Sequence, residues 1–512
     1  MFLKDHKKAA LISKGAEISY AEVISSANDY AALYDLKPGE RIAVFAENRA
    51  EWIYAYFSAW HKGGINVPID HMSSADEVAY MLHDCRPVAV FCSAATRPVL
   101  AEALADLDPA YKPRIFDFEQ LGAPPRVALT PEVPRAKNDT AVIIYTSGTT
   151  GSPKGVMLSY DNLLSNIEAV SDDVPIYTRD QRLLAILPFH HSFPLLGTIL
   201  APFYAGSTVV LLERISSADI LQSLVDNKIT IILGVPRLYK LFHKGLIDKI
   251  NASAIARALL WVSRKVPSLA FGRAIFRKAQ DAFGGHMQYF ISGGAKLDET
   301  VGRDLTALGF EILEGYGMTE ASPMITFTRP GKVKIGTAGE AMPGVTVRIQ
   351  DKQITASGRN IMQGYWNNPT DTAAILKDGW LQTGDQGFVD DHGRLHVTGR
   401  TKEIIVLSNG KNINPEEIER RILKLSPLIK EIGVYHHNEK LGAIIHPDAL
   451  AVASQKIEDL RMAIKTQVLD KFNKSAPIHK QIRHFTISEQ ELPKTRLGKI
   501  KRFKLSEVGL GV

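Results

Sequence analysis

Apolar and polar positions switch between two periods along most of the chain. RIAVFAEN (41–48) is a short, near-continuous apolar run and reads as a strand. AEWIYAYFSAWHK, from Ala50 to Lys62, has helical apolar spacing, and INVPID (65–70) reads as another strand. Ser74 followed three residues later by Glu77 is a capping-box signature for a second helix, after which VAVFCS reads as a strand again. The unit recurs in STVVLLER (207–214), a helix from Ala218, TIILG (230–234), QYFISGG (288–294) and EILEGYG (311–317). Strands alternating with helices predict an open, mostly parallel α/β sheet.

After Gly336 the texture changes to short β-type segments broken by Gly, Pro and Asn, which predicts a β-rich subdomain over about 336–400. From Thr401 a βαβ-like pattern returns: EIIVLSNG, a helix from Pro415, EIGVYH, and a helix near Ile457–Phe472. GRTKEI is the boundary, dividing the chain into 1–400 and 401–512. No internal repeat or low-complexity tract is present.

The chain has 512 residues, 45% hydrophobic and 23% charged, a globular composition too long for one core. Its two cysteines, Cys85 and Cys92, lie in apolar context and read as buried reduced thiols of a cytoplasmic protein. The first twenty residues show no secretory signal pattern, and no stretch reaches the length of a membrane span. The net charge of +6 is uneven: residues 401–512 hold 20 basic and 13 acidic residues, while the first 400 are near neutral. A basic end suits either a phosphate-bearing ligand or a solvated face. No stripe of bases interleaved with aromatics appears, so no nucleic-acid partner is expected.

Four segments carry candidate chemistry. YTSGTTGSPKG (145–155) follows the apolar run Ala141–Ile144 and offers hydroxyls at Thr146, Ser147, Thr149 and Thr150. Gly148 and Gly151 add amides and Lys154 adds charge. It is not a Walker A loop, because Pro153 removes an amide and Gly155 stands where that motif needs Ser or Thr. In GYGMTE, Gly315 and Gly317 let backbone approach a planar ring, Tyr316 can stack on it, Thr319 adds a hydroxyl, and Glu320 is a hard ligand suited to Mg²⁺. In the segment 379–400, Asp385 reads as lying in a tight Gly-flanked turn, where its carboxylate could accept both ribose hydroxyls, with Arg400 behind it. LPKTRLGKIKR (492–502) sets Lys499 among other bases. Each has an ordinary reading taken singly: a surface loop, a core tyrosine, a turn aspartate, a solvated tail.

In this order and spacing the four resemble the adenylate-forming superfamily of acyl-CoA synthetases, peptide-synthetase adenylation domains and beetle luciferases. The resemblance spans about Tyr145 to Arg502. It implies a large N-terminal domain of stacked α/β sheets with a β subdomain, and a small mobile α+β C-terminal domain. It also implies two half-reactions: a carboxylate and MgATP give acyl-AMP and pyrophosphate, then a thiol takes the acyl group. By this resemblance Lys499 bridges carboxylate and phosphate, Glu320 holds Mg²⁺, Asp385 and Arg400 hold ribose or phosphate, and Gly293, Gly294, Ala295 and Tyr316 flank the adenine. Lys402 falls at the family hinge and Gly410 at its CoA channel.

LPFHHSF (187–193) aligns with the family's acyl-pocket motif. His190 stands where amino-acid-activating members have an aspartate, and His191 matches a histidine beside the acyl group and phosphate. Phe193, Leu195, Leu196, Val235 and Leu238 suit an apolar tail, and Tyr239 falls near a gating aromatic. The resemblance therefore implies a medium- or long-chain fatty acid, with an aryl acid as the alternative, and CoA as acceptor, with an acyl carrier protein as the alternative. The bases Lys501, Arg502 and Lys504 are candidates for CoA phosphates. A nucleotide-binding protein without turnover is disfavoured, since Lys154, Glu320 and Lys499 are all present. Peripheral membrane association has no identifiable patch in this reading.

Overall fold

The computed structural model describes residues 3–122, 124–146, 153–266, 268–400, 405–406, 412–437, 440–494, 500 and 502–505. By packing, the chain divides into two compact units. The first comprises 1–348, 355–383 and 389–396; the second comprises 349–354, 384–388 and 397–512.

The first unit is built on two large sheets. In spatial order, the nine-stranded sheet runs Glu340–Ala341, Met324–Phe327, Glu311–Gly317, Tyr289–Ser292, Ile231–Gly234, Arg182–Ala185, Thr208–Leu211, Ala9–Ser13, Ala16–Ser19. Its centre is parallel and both margins are antiparallel. The seven-stranded sheet runs Gly364–Tyr365, Lys154–Ser159, Thr140–Thr146, Ile65–Ile69, Arg41–Phe45, Ala89–Cys92, Arg114–Asp117, parallel except where Lys154–Ser159 pairs with its two neighbours. The strand-and-helix alternation of the sequence is thus realised as two stacked α/β sheets.

Alternation along the strands assigns each sheet's two faces. Ile42 and Val44 join Leu183, Val209, Leu233 and Ile291 in one core between the sheets, filled by helices such as Ala50–His61. Trp52 stacks on Tyr56 at 5.2 Å, and Tyr56 meets Trp60 edge-on at 4.9 Å, so this helix supplies a continuous aromatic wall. The opposite faces take helices of their own. Ala43, Phe45 and Val67 pack with the helix Ala75–Cys85, and Leu184, Ile232, Phe290 and Ile312 pack with residues from the helices between 236 and 307. The result is five layers, α/β/α/β/α, with an apolar core between the sheets and another on each outer face.

The local signals behave as written. Ser74 and Glu77 form the reciprocal capping box at the helix Ala75–Cys85. Cys85 and Cys92 are buried and unpaired with each other, with thiols pushed up to about 12 by burial. The second unit has a core of its own around Ile418, Ile432, Val434, Ala443 and Val468. Here the helix read near 457–472 begins at Leu460, because Asp459 caps it by accepting the amide of Met462.

Candidate active site

The parallel strands of the nine-stranded sheet end on one edge, and the sequence motifs follow directly from those ends. LPFHHSF follows Arg182–Ala185, Val235 follows Ile231–Gly234, ISGG closes Tyr289–Ser292, and GYGMTE closes Glu311–Gly317. Carboxyl ends of parallel strands are where open α/β sheets take their ligands.

Three of these motifs touch. A side chain on Gly293 would meet the Phe193 ring at 3.0 Å, so glycine is what lets Phe193 lie flat against that strand end. The Ser192 and Thr319 hydroxyls are 3.1 Å apart. Gly317 approaches the Pro323 carbonyl so closely that a Cβ would sit 1.8 Å from it. Gly294 has φ +81°, a left-handed turn out of the strand. Asn48 clamps the HHSF approach from the other sheet, accepting the Phe189 amide at 2.9 Å and donating to the Leu187 carbonyl at 2.8 Å.

The His190 and His191 rings lie 4.0 Å apart between centres, tilted by 50°. Burial, and for His191 also the neighbouring imidazole, lowers both to about 3, so both are neutral at physiological pH. His190 Nε2 lies 3.3 Å from Asp70 Oδ2, and His71 Nδ1 lies 3.8 Å from Asp70 Oδ1. Asp70 follows the strand Ile65–Ile69 of the other sheet, and sequence spacing gave no reason to join it to the histidines.

The phosphate-loop lysine and the Mg²⁺ candidate meet through a residue that the motifs did not nominate. Thr146 pairs with Lys154 across the hairpin, which fixes where the loop departs and returns. Lys154 Nζ forms an ion pair with Asp371 at 2.7 Å and lies 5.3 Å from the Tyr365 ring centre. The Tyr365 hydroxyl donates to Glu320 Oε1 at 2.8 Å. Tyr365 thus separates the ammonium from the carboxylate while touching both. Glu320 is buried, and a carboxylate's two oxygens can take several partners at once, a cation among them. Among the described residues it belongs to no cluster of metal-ligating side chains, so it fits Mg²⁺ held by one carboxylate together with substrate phosphates. The signal for Tyr365 was the GYW following MQ, an aromatic just past a glycine.

Glu314, in the strand leading to GYG, is a second carboxyl overlooked in the sequence. Burial lifts it to about 7 against the opposing pull of the Gly336 amide, which it accepts at 3.1 Å.

Three readings need correction. Asp385 is not in a turn. The strand Trp380–Val389 runs through it, and Asp385 falls on the buried phase with Leu381 and Thr383, while Gly384 absorbs a left-handed φ of +72°. Its Oδ1 accepts from Arg400 Nε at 3.2 Å, so the two ribose candidates form an ion pair within the second unit. Arg502 is not available to a CoA phosphate. Its guanidinium holds the buried Glu419 carboxylate through both oxygens and also donates to the Val434 carbonyl at 3.2 Å. Lys504 is exposed. Tyr239 is fully buried, its hydroxyl placed against the carbonyls of Ile291 at 2.7 Å and Ile232 at 3.0 Å, which ties it to the sheet interior and leaves no swinging gate. Ser147, Gly148, Thr149, Thr150, Gly151, Lys402, Gly410, Lys499 and Lys501 lie outside the described residues.

Comparison with known proteins gives one answer along the whole chain. Residues 3–366 match the AMP-binding enzyme family, and residues 402–507 match the AMP-binding enzyme C-terminal domain. A long-chain-fatty-acid–CoA ligase of Mycobacterium tuberculosis, FadD15, is 32% identical over 461 residues, covering 84% of this chain and 76% of that protein. A feruloyl-CoA synthase of Amycolatopsis sp is 29% identical over 425 residues, covering 80% and 78%. The crystal structure of ATP-bound MatB from Rhodopseudomonas palustris is 27% identical, with a TM-score of 0.81 over 99% of this chain and 96% of that one.

Proposed function

The chain belongs to the AMP-binding enzyme family, and from that premise we propose an AMP-forming acyl-CoA ligase whose acid is a medium- or long-chain fatty acid. The observation that carries this reading is the meeting of Phe193 with Gly293 and of Ser192 with Thr319. It sets the acid-side segment against both nucleotide-side segments. An apolar acid fits that segment better than a charged one. Phe193, Leu195 and Leu196 pack on the core between the sheets. His190 stands where amino-acid-activating relatives have an aspartate, so the segment itself brings no carboxylate to pair with an ammonium group.

The first half-reaction brings a carboxylate against a polyphosphate, and cancelling that repulsion is the main catalytic need. Lys154 and the loop 146–151 suit the phosphates. Glu320 would hold Mg²⁺, which lowers the phosphates' charge when bound. Lys499 would bridge the carboxylate and the α-phosphate. Neutral His191 can donate or accept a hydrogen bond beside the acyl group but brings no charge to it. Asp385 and Arg400 suit the ribose, with Tyr316, Gly315, Gly294 and Ala295 around the base. In the second half-reaction the CoA thiol attacks the acyl carbon and AMP leaves. Lys402 as hinge and Gly410 as part of the CoA channel belong to this reading, with a basic C-terminal unit to meet CoA phosphates.

The feruloyl-CoA relative supports an aryl acid as the second reading. The test is AMP release from ATP by the purified chain across fatty acids of graded length, ferulate and benzoate, with and without CoA. Release that needs both a fatty acid and CoA, with an optimum chain length, supports the first reading. A higher kcat/KM for ferulate overturns it in favour of the second. Acid-dependent pyrophosphate exchange with no thioester made from CoA points to a carrier-protein acceptor.

A further inference from the structure

The near-neutral charge of the first 400 residues hides a concentration. Between Pro236 and His286 there are ten basic and two acidic residues, a local +8 that exceeds the +6 of the whole chain. These residues form the helices Pro236–Asn251, Ala254–Ser263, Leu269–Ile275 and Arg277–Ala282. All ten basic residues are exposed. Arg264 is used internally, gripping the buried Asp304 at 2.7 and 2.9 Å, and Arg273 donates to the Gly309 carbonyl. Among the described residues, none of the other eight forms an ion pair with an acidic side chain. Ordinary solvated surfaces intersperse both signs; this one does not.

The same helices expose large apolar side chains. Ile255 is 74% exposed, Trp261 63% and Leu241 57%, with Leu259, Val262 and Val266 also exposed. The helix Ala254–Ser263 is fixed inward by buried Leu260 and by Ser263, whose hydroxyl donates to the Ala307 carbonyl at 2.6 Å. At 100° per residue, Ile255, Leu259 and Val262 then share one outward flank, Arg257 lies on the other with the capping Arg264 next to it, and Trp261 lies between; Lys265 and Val266 follow in the turn after the helix. Scattered exposed apolar residues mean little. An aliphatic flank, an indole and a cationic flank on one short helix, inside a segment of +8, are the parts of an interfacial anchor.

We propose that the outer face of the helices between 236 and 286 docks on an anionic lipid bilayer surface. The indole and aliphatic side chains enter the headgroup region while Lys240, Lys244, Arg257 and Lys265 meet lipid phosphates. No described helix is long and apolar enough to cross a membrane, so the contact is peripheral. Charge complementarity selects this occupant. A second copy of the chain would bring the same +8 against itself.

The test is co-sedimentation of the purified full chain with vesicles of phosphatidylcholine alone, or with about 30 mol% phosphatidylglycerol, at low and high salt. The expected result is binding to the anionic vesicles only, lost at high salt, with a blue-shifted tryptophan emission. Trp261→Glu should lower partitioning at least about tenfold, and the pair Lys240→Glu, Lys244→Glu by about fivefold or more per residue. Circular dichroism and acid-dependent pyrophosphate exchange of these variants should match the unmodified chain. Absence of binding overturns the proposal, as does equal binding to neutral vesicles. Binding unchanged in both variants would place the contact elsewhere, at the basic C-terminal unit. A dimer in sedimentation velocity that Trp261→Glu dissociates would identify a second copy as the occupant.

Discussion

The nine-stranded sheet carries two regions that treat charge in opposite ways. At its carboxyl edge, and on the margin of the seven-stranded sheet that touches it there through Tyr365, polar groups are settled locally. Glu320 accepts the Tyr365 hydroxyl, Lys154 pairs with Asp371, and His190 and His191 are neutral. On the helices of its outer face one buried carboxylate is settled in the same way. Burial pushes Asp304 up, but hydrogen bonds from His243 and Arg264 more than reverse this and hold it below the usual carboxylate range. Around it, eight exposed cations of residues 236–286 form no ion pair with an acidic side chain among the described residues. Burial penalises each unpaired charge by several kcal/mol, so it is resolved residue by residue. An exposed cation costs almost nothing to leave unpaired, so imbalance can accumulate there until an outside surface answers it.

The sharpest way to break this contrast is Glu320→Gln, which keeps shape and removes charge. AMP formation should fall by about 10²–10³, the scale of losing one electrostatic contact in the transition state, with vesicle binding unchanged. A variant with full activity would remove Glu320 from the site.

Glu314→Gln tests whether an unresolved buried carboxyl is costly. In the fold Glu314 titrates near 7, against an ordinary value of 4.5. Its neutral form is therefore favoured by folding. This contribution is complete below about pH 4.5 and is lost as pH rises through 7, a total loss of about 3 kcal/mol. The Gln variant should be the more stable form at pH 8 and show little difference at pH 4.5, measured by urea denaturation at both values. Equal pH slopes would show that Glu314 is solvated.

Tyr365→Phe is a smaller perturbation. It removes the hydroxyl that steadies Glu320, about 1 kcal/mol, and should raise the Mg²⁺ concentration for half-maximal AMP formation by about fivefold while leaving stability nearly unchanged. A shift in chain-length preference instead would mean that Tyr365 contacts the acid. Smallest of all, Lys244→Ala should change urea stability by no more than about 0.5 kcal/mol, because that cation has nothing to lose within the fold.

What was legible in the sequence is what is periodic or contiguous. Strand-length apolar runs, the Ser74–Glu77 cap and the glycine pairs at 293–294 and 315–317 announce themselves within a few residues. Asp70 meets His190, and Tyr365 meets Lys154, only because the sheets stack and a late strand returns to an early one; no local period records either meeting. The reading of Asp385 as a turn residue rested on flanking glycine, yet alternate burial on both sides of it carries the strand through. Counting charge over 400 residues concealed the +8, since the remaining helices and strands of that stretch are acidic. Arg502 looked like one more base in a tail until its partner, Glu419, appeared 83 residues earlier.

The strand Gly364–Tyr365 closes the seven-stranded sheet by pairing with Lys154–Ser159, and Trp366 donates its amide to the Gly155 carbonyl at 2.7 Å. During synthesis the chain must therefore wait for some two hundred further residues before that edge is covered. A ribosome-bound chain, or a truncation ending before residue 364, leaves Lys154–Ser159 as an open edge strand, a template for pairing with other copies. The hairpin that flanks the candidate phosphate loop is thus made early in the chain and completed late.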